Sequence, residues 1–530
     1  VPNIPRTYTP PNSPSIIQYS HAFQEIVEKE FARGRYLGPF PPHLLEQYIG
    51  PFQSSPLSII PKPGKPGKYR LIQNLSYPIV PRHDAAASIN SRVDASLFPC
   101  TWGTFPTVCA LIVSLPPGCQ GATRDVAEAY RTIPIHPSQW PGLIVRLSDN
   151  PPTFAIDTAL CFGYGPSAGV YGGVRDASLE IMRAEGIGPI IAWVDDHLFI
   201  RLPASQISEY NTVRNQKAEI IAQNGGTKTD HGRLWYKGET LANGDYEEFA
   251  EDCLHPLKAF EATSDHTSHN NAHAYSFEHI DAIANQLGIP WELSKDTPFS
   301  NSPTFMGFSW NLDNKTVGLT ASKRQKYTTS IDEWLKKKTH NLEEVQKLHG
   351  RLSHAALTSP LHLSPPIPIP IHRSAIDLRA FSDASSTVGL AVVIGERWRA
   401  WKLHPDWKKD ERDIGWAESV AFELLVRYLL IISPSPEPIR VFGDNEGVVR
   451  AWKKGRSNNR PTNETFRRIH SLLASPPRRI FAEYIPSEDN PADSPSRGIY
   501  PPPELALPPI SIPDPIAHLV LDLDDPRSNN

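Results

Sequence analysis

The stretch Ile190-Ile191-Ala192-Trp193-Val194-Asp195-Asp196-His197-Leu198-Phe199-Ile200 decides how the rest of the chain is read. An apolar run leads into two adjacent carboxylates, and an apolar return follows at once. A buried strand would carry those acids at heavy cost unless the chain turned immediately and a cation met them. A tight hairpin meets the first condition. It also suits Mg²⁺, a hard ion that takes one or two carboxylates together with phosphate oxygens. A structural Asx turn is the competing explanation, because Asp524-Asp525 shows that adjacent aspartates occur in plain contexts too.

Upstream, Ala122 to Ile135 reads as a strand carrying Asp125 near its start, with Tyr130 five residues further on. Between the two acidic strands lies Ser167 to Ala184, glycine-rich first and helical later. Earlier still, β-type residues of Ser55 to Ser76 flank the turn-forming segment Pro61 to Gly67, which predicts a hairpin with a basic tip. His21 to Arg33 has helical spacing of Phe23, Ile26, Val27 and Phe31, after a lead-in rich in Pro, Ser and Asn.

Downstream, Lys237 to Ser300 holds three lysines against twelve acids, with His266, His269, His273 and His279 among Ser, Asn and Asp. That composition predicts mostly mobile loop, and the irregular histidine spacing without cysteine argues against zinc. A hairpin over Thr304 to Leu312 and Thr316 to Leu319 precedes two helices, Ser322 to Lys338 and Leu342 to Leu357. Pro360 to Pro370, with five prolines in eleven residues, reads as a linker. After it, strand (Ala380, Leu390 to Ile394), helix (Trp416 to Ile431), strand (Ile439 to Phe442) and helix (Glu446 to Lys454) alternate in an α/β rhythm.

At 530 residues the chain has room for three or four compact units, and 54 prolines imply much loop. No apolar run approaches the length of a membrane span. Five scattered cysteines exclude a disulfide framework and fit a reducing, intracellular setting, cytoplasm or nucleus. The opening Val1-Pro2 suggests a segment of a longer product. The net charge of −4 hides basic clusters at Lys62, Lys65, Lys68 and Arg70, at Lys315 to Arg351, and at Arg450 to Arg460. Such clusters can track a phosphate backbone, or can be ordinary solvated surface.

Asp125 with Tyr130, then Phe162-Gly163-Tyr164-Gly165-Pro166-Ser167-Ala168, then Trp193-Val194-Asp195-Asp196, then Phe305-Met306-Gly307-Phe308, resembles in order and spacing the palm motifs of reverse transcriptases. Ser55-Pro56-Leu57 through Pro61-Lys62 to Tyr69-Arg70-Leu71-Ile72 resembles their finger segment, so the likeness spans roughly residues 40 to 360. DIRS-like retroelements are the most similar in organisation. The resemblance implies that Asp125, Asp195 and Asp196 hold two metal ions about 4 Å apart for nucleotidyl transfer. It further implies that Lys62 and Arg70 meet the incoming triphosphate, that Tyr130 lies under the sugar and excludes a 2′-hydroxyl, and that Phe162 and Gly163 line the substrate site. Lys228, in Gly225-Gly226-Thr227-Lys228, is implied as a proton donor to pyrophosphate. Trp193 stands where most of the family has Tyr, and Ala168-Gly169 where relatives often have Ala-Pro. Gly163-x-Gly165-x-x-Ala168 also fits the loose dinucleotide fingerprint, but Pro166-Ser167 interrupt it and no acid closes a following strand.

A second constellation follows the linker: Asp383, Glu418, Asp444 and Asp493 fall on strand, helix, strand end and helix start. Four converging acids repel unless metal neutralises them. Their order, and Tyr484-Ile485-Pro486-Ser487 through Asn490-Pro491-Ala492-Asp493 to Arg497-Gly498, resemble RNase H domains, the ending being like hepadnaviral and DIRS-like ones. Glu423 competes with Glu418 for the helix position, and Glu483 stands where many relatives have His. Trp452-Lys453-Lys454-Gly455-Arg456 would grip hybrid backbone.

The expected fold is therefore an α+β right-hand polymerase (fingers, palm, thumb) followed by an α/β RNase H-like domain with a mixed sheet. Expected boundaries are 1–40 lead-in and N-terminal helix, 41–320 fingers and palm with the acidic insertion at about 237–300, 321–359 thumb, 360–374 connection, 375–500 RNase H-like and 501–530 acidic tail, the last without order. Expected partners are RNA template, DNA primer, RNA–DNA hybrid and dNTPs, with two Mg²⁺ (or Mn²⁺) ions per active site and no membrane. A domesticated descendant that binds nucleic acid without catalysis is the rival reading. Oligomeric state has no signature in the sequence.

Overall fold

A computed structural model describes the chain apart from residues 1–2, 63–65, 81–85, 100–101, 229–232, 241–245, 262–271, 358–366, 369–374, 435–436, 456, 474–477 and 525–530. Lys65, His266, His269, Arg456 and most of the 360–374 connection lie outside the described residues. The chain forms two compact units, residues 1–104, 115–234 and 250–306 in the first and 105–114, 235–249 and 307–530 in the second.

In the first unit, helix α1 (Ser20–Ala32) lays Phe23 against a small core of Ile16, Tyr36, Leu57, Ile59, Val145 and Ala155. Leu57 and Ile59 come from the expected hairpin, β1 (Leu57–Pro61) and β2 (Tyr69–Gln73), whose alternate residues point into that core. Strand β3 (Gln120–Asp125) is shorter than the sequence suggested. It stops at Asp125, and a 3₁₀ turn over Ala129–Thr132 replaces its second half, because Glu128 adopts a left-handed conformation (φ 52°) that no strand can continue through. Helix α2 (Ser167–Ala184) covers the glycine-rich-then-helical segment. Strands β4 (Ile190–Trp193) and β5 (Asp196–Arg201) form the predicted hairpin, and with β3 they make a three-stranded antiparallel sheet in the order β3-β5-β4.

Among its described residues the acidic stretch is more ordered than its composition suggested. Helix α3 (Phe277–Leu287) starts at a capping box formed by Ser276 and His279. Beyond it, Pro290 to Thr297 runs along β3 through backbone bonds Ala127 N–Pro290 O (2.7 Å), Glu292 N–Asp125 O (2.8 Å) and Thr297 N–Thr123 O (3.0 Å). The buried Arg124 of β3 ties this segment down. It pairs with Asp296 (2.8 Å) and Asp281, and stacks over the rings of Phe277 and Trp291. Polar composition misled because the anchoring partners lie about 170 residues earlier, as the 172-residue separation of Arg124 and Asp296 illustrates. The two described histidines do structural work: His279 in that capping box, and His273 through a hydrogen bond with the Gly118 carbonyl (3.2 Å).

In the second unit, helices α4 (Ala321–Leu335) and α5 (Leu342–Ala356) fall where the sequence put them, joined by a Tyr327 hydroxyl–His354 Nδ1 bond (3.2 Å). Ile367–Pro368, inside the proline-rich segment, forms a short strand paired with Thr316–Val317. The rest of the unit is a six-stranded mixed sheet, β6 (Ile376–Ala384), β7 (Gly389–Ile394), β8 (Arg397–Leu403), β9 (Ile439–Gly443), β10 (Ile480–Tyr484) and β11 (Val520–Asp522), in the order β10-β9-β6-β7-β8-β11. β6, β7, β8 and β11 are antiparallel neighbours, whereas β9 and β10 join parallel to β6. Helix α6 (Ile414–Ile432) crosses from β8 to β9, as a parallel connection requires. It is apolar nearly all round, so Val420, Leu424, Leu425 and Leu429 are buried with Leu390 and Val392 of β7 and Ile469 of helix α8 (Arg460–Leu472). Helix α7 (Glu446–Lys453) precedes α8, and a final one-turn helix α9 (Asp493–Ser496) follows β10.

The tail is ordered through Asp524, against expectation. Leu507, Ile516, Leu519 and Val520 are buried in the core of this unit, and β11 pairs with β8. Arg399 of β8 binds Asp522 and Asp524, the Leu507 amide donates to the Trp398 carbonyl (2.7 Å) and the Tyr428 hydroxyl to the Pro508 carbonyl (2.7 Å). The prolines limit regular structure but not burial.

Candidate active sites

The first cluster is assembled by strand register. Asp125, the last residue of β3, lies opposite Asp196, the first of β5, and Trp193 at the end of β4 lies opposite Asp196 on its other side. The turn between β4 and β5 is tight because Val194 takes a left-handed conformation (φ 55°). It is fastened by the Val126 amide donating to the Asp195 carbonyl (3.1 Å) and by His197 Nδ1 at 2.9 Å from the same oxygen. Burial pushes the His197 imidazole down to about 4, so it serves as a neutral spacer under the turn. Crowding by protein pushes the Asp196 carboxyl up to about 7, helped by a hydrogen bond with Asp125 and the charges of Asp125 and Asp195. Asp195 is raised for the same first reason, with Asp125 adding repulsion. Lys295 answers that repulsion: its Nζ lies 2.7 Å from Asp125 Oδ1.

Lys295 is the residue that sequence reasoning missed here. It comes from the acidic stretch, brought in by the pairing of Pro290 to Thr297 with β3. Lys228 lies exposed in a two-residue strand, Thr227–Lys228, and the lysine that meets Asp125 is Lys295. Tyr130 is half-buried in the 3₁₀ turn, its ring 4.8 Å from that of Phe162 and 5.5 Å from that of Tyr171. Phe162 is 66% exposed, open to a ligand on its other face. Gly163 packs so closely that a Cβ there would sit 2.1 Å from the Gln73 carbonyl oxygen at the end of β2, so no other residue fits. Asn90 locks this approach, donating to the Gly163 carbonyl and accepting from the Gly165 amide, both at 2.9 Å. Lys62 and Arg70 are exposed at the turn end of the β1–β2 hairpin, where the Lys62 amide donates to the Lys68 carbonyl (2.8 Å). The helix after Gly163 begins only at Ser167, behind Pro166, so no dinucleotide-type turn into a helix follows that glycine directly.

The second cluster is tighter. Asp383 sits on the central strand β6, Asp444 just past the end of the parallel neighbour β9, and Asp493 at the start of α9. One carboxylate oxygen from each of the three lies within 4.8 Å of the others; among the described residues no other such trio occurs, so Asp125, Asp195 and Asp196 are more loosely gathered. Burial pushes the Asp383 carboxyl up to about 7, opposed by the Ser496 hydroxyl that donates to it and assisted by the charge of Asp444. Glu418, buried in α6, is raised well above the usual carboxylate range, by desolvation first and then by Asp383 and Asp444. Glu423, by contrast, is fully buried against Arg427 (3.0 Å) and Arg468 (2.7 Å), which makes it a structural ion pair and leaves Glu418 as the helix acid of the cluster. Arg497 holds Asp493 at 2.9 Å, and the Asn490 side chain donates to the Ser382 carbonyl (3.1 Å), so the α9 turn is docked onto β6. Glu483 pairs with Arg440 (2.9 Å) across the β9–β10 ladder. Trp452 is buried, stacked on His470 at 4.6 Å, so only the lysines of Trp452-Lys453-Lys454 are offered to solvent.

No family model and no curated protein matches the chain. Among solved structures it is similar to a foamy viral protease-reverse transcriptase in complex with dsDNA, at 13% identity and a TM-score of 0.41 over 92% of this chain and 86% of that one. The same viral protein in complex with an RNA/DNA hybrid aligns at 13% identity and a TM-score of 0.41, over 97% of this chain and 57% of that one. A foamy viral protease-reverse transcriptase dRH with ds DNA aligns at 14% and 0.39, over 92% and 72%.

Both clusters suit divalent metal. Burial first and neighbouring acids second raise Asp195, Asp196, Asp383 and Glu418, a penalty on the charged form that a dication offsets, and hard oxygen donors are what Mg²⁺ takes. Asp383, Asp444 and Asp493, with Glu418, would hold it in one unit, and Asp125, Asp195 and Asp196 in the other. Among the described residues no helix is long and apolar enough to cross a membrane.

Proposed function

We propose that the chain is an RNA-directed DNA polymerase with ribonuclease H activity, of a retroelement of the DIRS-like kind. In this reading residues 41–320 are fingers and palm, 321–359 thumb, 360–374 connection and 375–500 an RNase H-like domain, to which the ordered tail is added. The substrates are RNA template, DNA primer and dNTPs in the first unit and RNA–DNA hybrid in the second.

The single observation that carries the reading is the presence of two carboxylate clusters, one in each unit: Asp125, Asp195 and Asp196 brought together by strand register, and Asp383, Asp444 and Asp493 with one carboxylate oxygen each within 4.8 Å of the others. Bound divalent metal supplies charge neutralisation and Lewis acidity at a phosphoryl oxygen. The chain's own groups do the rest. Asp125, Asp195 and Asp196 would hold the metal beside a primer 3′-hydroxyl and an incoming triphosphate, and Lys295 balances the charge of Asp125 in its absence. Tyr130, held by tilted ring contacts with Phe162 and Tyr171, would support the sugar and exclude a 2′-hydroxyl. Arg70 and Lys62 on the exposed hairpin draw in the triphosphate. In the second unit Asp383, Glu418, Asp444 and Asp493 present a water to the scissile RNA phosphate, which is read by backbone shape rather than by base.

Primer extension on an RNA template, with and without Mg²⁺, tests the reading. Full-length product is expected only with metal, and Asp195→Asn with Asp196→Asn should abolish it, a loss of at least about 10³-fold given the several kcal/mol such electrostatic groups contribute. Metal-independent or absent extension by the folded wild-type chain would refute it.

A further inference from the structure

Tyr130 sits between two residues that are both gripped from the same place. On its N-terminal side Glu128 holds a left-handed conformation (φ 52°), one that glutamate keeps only where its surroundings enforce it. The Glu128 carboxylate accepts from Lys29 (2.6 Å), from Arg35 (2.6 Å) and from Arg33. On its C-terminal side Arg131 donates to Glu30 (2.7 Å), to both oxygens of Asp157 (2.8 Å each) and to the Ala159 carbonyl (3.0 Å). Lys29 and Glu30 lie in the last turns of α1, and Arg33 and Arg35 directly follow it. Consecutive residues of one helix thus hold opposite charges onto the two flanks of a single aromatic ring. Between the flanks the 3₁₀ turn is closed by the Arg131 amide donating to the Glu128 carbonyl (2.7 Å), so movement at either clamp turns Tyr130 against Phe162 and Tyr171.

We infer that the end of α1 is a positioning brace for Tyr130, and that Glu128, through its cationic clamp, sets how strictly the polymerase site rejects ribonucleotides. This rests on the polymerase reading above and deepens it: the selectivity belongs to the ring's support as well as to the ring. The brace is placed to act through Tyr130, which separates its role from that proposed for the finger cations Lys62 and Arg70.

Single-nucleotide incorporation of dTTP and UTP opposite template A, by the full chain with Mg²⁺, tests the brace. Arg33→Ala with Arg35→Ala should lower the dTTP-over-UTP ratio of kcat/KM by roughly tenfold, mainly through a higher KM for dTTP and a lower one for UTP, as expected when positioning rather than chemistry is lost. Arg33→Lys with Arg35→Lys, which keeps the charge, should stay within about twofold of wild type. In a Tyr130→Ala background the alanine pair should change the ratio no further, since contacts that act through one ring are not additive. Should the alanine pair not fold, Lys29→Ala, at a side chain 50% exposed, carries the same comparison. Unchanged discrimination in the alanine variants of a chain that extends primers would overturn the brace while leaving the polymerase reading intact, as would an equal effect in the Tyr130→Ala background. A folded wild type that incorporates neither nucleotide would overturn both.

Discussion

Asp383 and Glu418 are raised because folding buries them and, secondly, sets them beside other acids. An acid whose folded pKa lies above its unfolded value binds protons more tightly when folded, so its stabilisation is full below about pH 4 and is lost as pH rises through about 7. The metal-free chain should therefore melt at lower temperature at pH 8 than at pH 5, Mg²⁺ should restore most at pH 8, and Asp383→Asn should flatten the slope. Calorimetry across that range checks it; a slope untouched by Asp383→Asn would refute the assignment. Lys295 acts in the same currency at the other cluster. Since its side chain is 53% exposed, Lys295→Met should cost no more than about 1 kcal/mol of metal-free stability by urea unfolding. The acids themselves were legible in the sequence because each stands at the end of an apolar run or in an ordered motif. Lys295 was not, because 170 residues separate it from Asp125 and nothing local distinguishes a lysine in an acid-rich stretch.

Elements with a marked local pattern, the glycine-rich then helical α2, the long apolar run of α6 and the apolar β4–β5 hairpin, were readable, since burial and local pattern agree there. Those that failed were held by distant partners. β8 carries Arg397, Arg399 and Lys402 among tryptophans, and its Arg399 meets Asp522 and Asp524 about 120 residues later, as the 123-residue separation of Arg399 and Asp522 shows. α8 is strongly polar and is recognisable only by the stripe of Phe466 and Ile469 that it lends to the core. Two substitutions test these packings. Leu519→Ala should destabilise the second unit by roughly 2–5 kcal/mol, the usual cost of a buried leucine, whereas a tail without order would tolerate it. Arg468→Ala should cost about 3–5 kcal/mol by leaving Glu423 buried with one partner fewer, and chemical denaturation followed by tryptophan fluorescence reads both.

For the molecule as a whole, the decisive property is that its two acid clusters belong to different compact units. Asp444→Asn should abolish hybrid cleavage while primer extension persists, and the Asp195/Asp196 pair should do the reverse. Gel assays of both activities on each purified variant check this, and simultaneous loss in a folded protein would count against independent centres.

The position of β11 has a consequence for how the protein is made. Its sheet partner β8 is synthesised more than a hundred residues earlier, so a nascent second unit must wait with that edge unpaired until residue 522 has emerged. An open β-edge invites pairing with another chain. A product truncated before Val520 should therefore self-associate, and the final strand acts as a built-in chaperone for the surface it later covers.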